Sequence, residues 1–148
     1  MNILVLRQQA VEATMAHVRG RKFALGKLDC ARMAAFHLKQ MGWRVRLSKV
    51  ARYKTALGAK AALKRIGCEN VIEAVDSLGL PRIAPARVLP GDVVSFPCDH
   101  ALGALGVAVG NGNMPAFHEA HELPVIMAMS GVDLAWDASP PASRAARK

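Results

Sequence analysis

From the first residues onward, apolar positions Leu4, Val11, Met15 and Val18 recur at helical spacing among Arg7, Gln8, Glu12 and His17, and Gly20 closes the run. The spacing predicts a helix over 2–18. A second helix is expected after Asp29, a side chain suited to capping free amides, with Cys30, Met33, Ala34, His37, Leu38 and Met41 on one face and Gly42 as its stop. That apolar face makes it the expected central buried helix. Thr55 is placed to cap a third helix through Leu63 and Ile66 to Gly67. Asn70 is placed to cap a fourth through Val75 and Leu78 to Gly79, with Pro81 preventing its continuation.

After Pro90 the period shortens. Runs at 91–96, 105–109, 114–117 and 123–129 read as strands, and Asn111-Gly112 between the second and third is a strong hairpin signal, because a type I′ turn needs positive φ at both central residues. Helices followed by an antiparallel sheet define an α+β fold class. From Asp137 the chain turns to Ala, Ser, Pro and Arg, so a single domain is expected over 1–136 and a flexible basic tail over 137–148.

With 148 residues and 52% hydrophobic content, one core is the default. The longest early apolar run, Ile3 to Leu6, is too short for a leader or a bilayer span. Cys30, Cys68 and Cys98 form no CxxC pair, which predicts free thiols in a reducing cytoplasm and no zinc. Neither metal nor cofactor is expected: Gly110 and Gly112 lack the strand-to-helix context of a phosphate loop, and His118, Glu119, His121 and Glu122 alternate faces in a strand and turn.

The net charge of +9 is unevenly spread. Residues 1–70 hold 15 Lys+Arg against 3 Asp+Glu, while 71–148 hold 5 against 8. Arg44, Arg46, Lys49, Arg52 and Lys54 form an acid-free connection and the candidate binding surface, and a basic half of this kind can serve nucleic acid, anionic glycans or an acidic protein neighbour. Nucleic acid is the weaker reading of that surface, since only Trp43 and Tyr53 lie near enough to stack on bases.

Cys30 is the candidate nucleophile. Free amides at a helix N-terminus favour a thiolate, and a helix-starting cysteine followed by an antiparallel sheet needs only an imidazole to complete a dyad. The segments Gly26-Lys27-Leu28-Asp29-Cys30-Ala31, Tyr53-Lys54-Thr55-Ala56-Leu57-Gly58-Ala59, Gly91-Asp92-Val93-Val94, Leu105-Gly106-Val107-Ala108-Val109-Gly110 and Ala135-Trp136 carry a further signal. In that order the chain resembles the papain-like NlpC-type cysteine peptidases, and more closely small phage and prophage tail proteins related to them.

The resemblance implies a papain-like α+β scaffold whose general base begins the strand after Gly-Asp. Here that position is Ala104. His100 lies four residues earlier, about 13 Å along an extended strand, and His118 falls near the family's third polar residue. The leading expectation is thus a tail-tip or baseplate protein of the virion tail, made in the host bacterial cytoplasm, that binds other tail-tip proteins on a degenerate peptidase scaffold. The rival is an active cysteine peptidase or amidase on peptidoglycan peptides, with Cys30 attacking, His118 or His100 taking the proton and helix-start amides holding the oxyanion.

Overall fold

The computed structural model describes residues 2–22, 29–45, 55–98, 102–117 and 123–141. Helix α1 (Ile3–Val18) starts where the Asn2 side-chain oxygen Oδ1 accepts the Leu4 amide at 2.8 Å. In α2 (Cys30–Gln40) the Asp29 carboxylate accepts the Arg32 amide at 2.8 Å, and Gly42, at φ 92°, ends the run in a conformation other residues rarely adopt. Thr55 caps α3 (Ala56–Arg65) through the Gly58 amide, and Asn70 caps α4 (Val71–Ser77) through the Glu73 amide. All four expected helices form.

The face that α1 buries differs from the expected one. Leu4 is 64% exposed, and the buried stripe is Arg7, Ala10, Thr14 and Val18. The reason lies in partners far along the chain: Arg7 meets Asp92, and Thr14 meets His37. The Thr14–His37 bond and the packing of Val18 on Met33 run α1 and α2 antiparallel.

Among the described residues six short strands follow: β1 (Arg82–Ile83), β2 (Val93–Ser95), β3 (Leu105–Val107), β4 (Asn113–Ala116), β5 (Val125–Ala128) and β6 (Leu134–Trp136). Four of them make an antiparallel sheet in the order β1-β6-β2-β3, and β4 pairs with β5 in a second. The pattern in the sequence missed β1 and β6, which at two and three residues are too short to show a period. Yet β6 is a central strand, and its Trp136 is fully buried.

The expected turn forms, with Asn111 at φ 55°, Gly112 at φ 69° and the Asn113 amide donating to the Gly110 carbonyl at 3.0 Å. Its two arms nevertheless separate. The Val109 amide donates to the Asn113 carbonyl, and continuing that register brings Pro115 opposite Val107, where proline has no N–H to give. The break between the two sheets falls there.

The main core joins Ala34 and Leu38 of α2 and Met41 just after it to Leu63 of α3, Val71 and Val75 of α4, and Val93, Leu105 and Trp136 of the sheet. The chain does not leave the domain at Asp137 as expected. Ala138 and Ser139 are buried, the Trp43 indole donates to the Ala138 carbonyl at 2.9 Å, and the Ala138 amide donates to Asp92 at 3.0 Å. The packed chain thus runs at least to Ser139, and 142–148 lie outside the described residues.

Candidate functional site

Cys30 is the first residue of α2, and α2 packs on β3. Its thiol meets the backbone amide of Leu105, the residue that opens β3. Ala104, one residue earlier, therefore stands next to the thiol, where the resemblance puts the general base. Its methyl group holds no proton-accepting atom.

The thiol is not the helix-start thiolate that its place in the sequence suggests. Burial pushes the Cys30 pKa up to about 11; the Leu105 and Ala31 amides pull the other way, and negative charge at Asp29 and Cys98 adds to the rise. By whole-residue surface Cys30 is only half-buried, but the sulfur itself is the desolvated part, and the sulfur is what titrates. The cap contributes as well. Buried Asp29 takes the Arg32 amide and sets a carboxylate beside the sulfur, so its charge works against what the remaining helix-start amides lend.

His37 belongs to the core. A carbonyl can only accept, so Nε2 carries the proton it donates to the Gly91 carbonyl at 2.7 Å, and Nδ1 accepts the Thr14 hydroxyl at 2.8 Å. Burial lowers its pKa, which keeps the ring neutral. Seven residues past Cys30, it lies about 10 Å along the helix from the thiol. His17 stacks on Phe36 with ring centroids 3.9 Å apart and is likewise shifted down, first by burial and then by Arg21.

Of the other predicted site residues, His118, His100, Arg46, Lys49, Arg52 and Lys54 lie outside the described residues, as do Glu119, His121 and Glu122. Arg44 is exposed and makes no ion pair among the described residues. No described group of three or more His, Cys, Asp or Glu residues is placed to hold a metal ion.

A polar centre that sequence reasoning missed lies at the other end of α2. Arg7, 5% exposed, donates to Asp92 at 2.8 Å, the Pro90 carbonyl at 3.0 Å, Asp137 at 3.1 Å and the Ser139 hydroxyl at 2.9 Å. Asp92 also accepts the Leu89 and Ala138 amides. The Gly91-Asp92 pair thus serves to lock α1, the β2 entry and the C-terminal strap together. Arg7 falling in step with Ala10, Thr14 and Val18 was the signal available for it. Above this centre opens a shallow groove of about 190 Å³, rimmed by Leu4, Ile83 and Leu89.

An α+β scaffold with a cysteine opening a helix against the edge of an antiparallel sheet is the NlpC class of fold, and solved structures agree. NlpC1 from Trichomonas vaginalis matches with a TM-score of 0.54 at 16% identity over 88% of this chain and 42% of its own. NlpC2 from the same organism matches with a TM-score of 0.53 at 16% identity over 89% of this chain and 48% of its own. The chain thus spans less than half the length of these two structures. Residues 6–138 match the family described as Domain of unknown function (DUF6950), and the chain belongs to that family. No curated protein sequence matches.

Proposed function

We propose that the protein is a tail-tip or baseplate component of a phage or prophage that uses the NlpC-type scaffold for binding and assembly, not for peptide hydrolysis. One observation carries the reading: the thiol at the nucleophile position is desolvated and neutral, and the neighbouring residue at the base position is Ala104. A thiol held protonated, with no imidazole against it among the described residues, is a poor nucleophile. The tail context rests on the order of the NlpC-like segments and on their closer likeness to tail proteins. The basic surface that includes Arg44 suits an acidic neighbour in such an assembly. Synthesis in the host cytoplasm and residence in the virion tail belong to the same proposal.

The test has two arms. Purified protein incubated with peptidoglycan fragments is expected to release no cleaved peptide, and mass spectrometry of particles from an induced lysogen is expected to find the chain in the tail fraction. Cleavage lost in both Cys30→Ala and His118→Ala but kept in His37→Asn would replace the scaffold reading with a peptidase acting on peptidoglycan peptides. Absence from purified particles would remove the tail assignment.

A further inference from the structure

Among the described residues, strand β5 has a hydrogen-bonded partner on one side only. The Met129 amide donates to the Gly112 carbonyl at 2.8 Å, so that pair and every second pair along the register are of the hydrogen-bonded kind: Met127 with Met114, and Val125 with Ala116. The N–H and C=O of Ile126 and Ala128 therefore point away from β4. Neither residue has another hydrogen-bond partner among the described residues. Ile126 is 55% exposed, and Leu123 beside it is exposed as well. Within β5 there is no lysine, proline or bulge of the sort that blunts a free edge.

We infer that this edge is the seam of a two-fold dimer, in which β5 pairs antiparallel with β5 of a second copy. The register that uses both outward-facing residues is centred on Met127. It sets Ile126 against the second copy's Ala128, and Ala128 against the second copy's Ile126, so four backbone hydrogen bonds form and each large side chain lies beside a small one.

The charge distribution favours a second copy as the occupant. Two copies of a chain of net charge +9 repel as wholes, but residues 123–131 carry no charge at all, so this seam brings the copies together without opposing like charges. Pairing also turns the two-stranded β4–β5 unit into a four-stranded sheet, past the size at which a sheet is stable by itself.

Sedimentation velocity of the full chain, in reducing buffer to keep the exposed Cys98 out of the result, is expected to show a reversible monomer–dimer equilibrium. Ala128→Pro is the discriminating variant. Ala128 has φ −70° and ψ 147°, which proline adopts, and its amide plays no part in the β4 ladder, so the monomer keeps its fold. The variant removes two of the four intermolecular bonds. At about 1 kcal/mol each, this raises the dissociation constant by about thirtyfold. Ile126→Lys, a change on an exposed side chain, is expected to weaken the dimer as well by placing ammonium groups in the seam. A chain that stays monomeric at every concentration overturns the inference. So does a dimer that is indifferent to both variants while circular dichroism reports an intact fold, and so does a monomer that instead binds an extended strand of another protein at this edge.

Discussion

A thiol at the first turn of a helix gains acidity from the amides ahead of it only if those amides are free and water reaches the sulfur. At Cys30 the second condition fails: the Ala31 amide still pulls the thiol down, but burial, with the Asp29 charge beside it, outweighs that and raises the thiol to about 11. At pH 8 about one molecule in a thousand carries the thiolate. Iodoacetamide is therefore expected to label exposed Cys98 faster than Cys30, with the Cys30 rate climbing as pH rises toward 11, followed by peptide mass spectrometry. Equal rates at pH 8 would mean an accessible sulfur. His37 gives a second residue-scale prediction. Its folded pKa lies below the ordinary 6.5, so the unfolded chain binds the proton more readily, and the stability this neutral ring contributes is present above pH 6.5 and lost as pH falls through the folded value. The slope is at most about 1.4 kcal/mol per pH unit. Urea midpoints measured between pH 7.5 and 5 are expected to fall in the unmodified chain and to stay flatter in His37→Asn.

Elements are joined here by a few polar bonds as much as by apolar contact. Arg7 ties α1 to the β2 entry through Asp92 and to the C-terminal strap through Asp137 and Ser139. Arg7→Met leaves the Asp92 carboxylate buried without its cation, a change that costs about 3–5 kcal/mol when a buried pair is broken from one side. Urea denaturation is expected to show that loss, and the double variant Arg7→Met with Asp92→Asn is expected to recover part of it, because the stranded charge is then gone. Ending the chain after Asp137 is expected to destabilise in the same assay, since Trp43 loses the Ala138 carbonyl and Arg7 loses the Ser139 hydroxyl. Close packing between strands is as exacting. A Cβ built at Gly106 would lie 2.7 Å from the Met114 sulfur, so Gly106→Ala requires Met114 to shift and is expected to cost about 1–3 kcal/mol.

For the whole molecule, charge governs encounter and burial governs shape. If the basic surface meets an acidic neighbour in a tail assembly, association measured by surface plasmon resonance is expected to slow steeply as salt rises, since exposed attractions are screened over about 8–10 Å. Arg44→Glu is expected to slow association more than it speeds dissociation, and salt-independent rates would point to an apolar contact instead. The four helices, the last three with Asp29, Thr55 and Asn70 as their caps, and the Asn111-Gly112 turn were legible in the sequence, because caps and turns are set by neighbours within a few residues. So was the α+β order of the chain. The inward turn of Arg7, the breaking of the sheet at Pro115, the central place of β6, the burial of Ala138 and Ser139 and the muted thiol of Cys30 were not. Each depends on a group elsewhere in the fold: Val107, on the facing strand, for Pro115, and, tens of residues away, Asp92 for Arg7, β1 and β2 for β6, Trp43 for Ala138, and Leu105 for Cys30. Local sequence determined the helices and the turn and where they stop, because backbone hydrogen bonds within helices and turns close over short spans. Only tertiary structure decided which faces are buried and which groups can ionise, because desolvation depends on everything that packs around an atom and not on its neighbours along the chain.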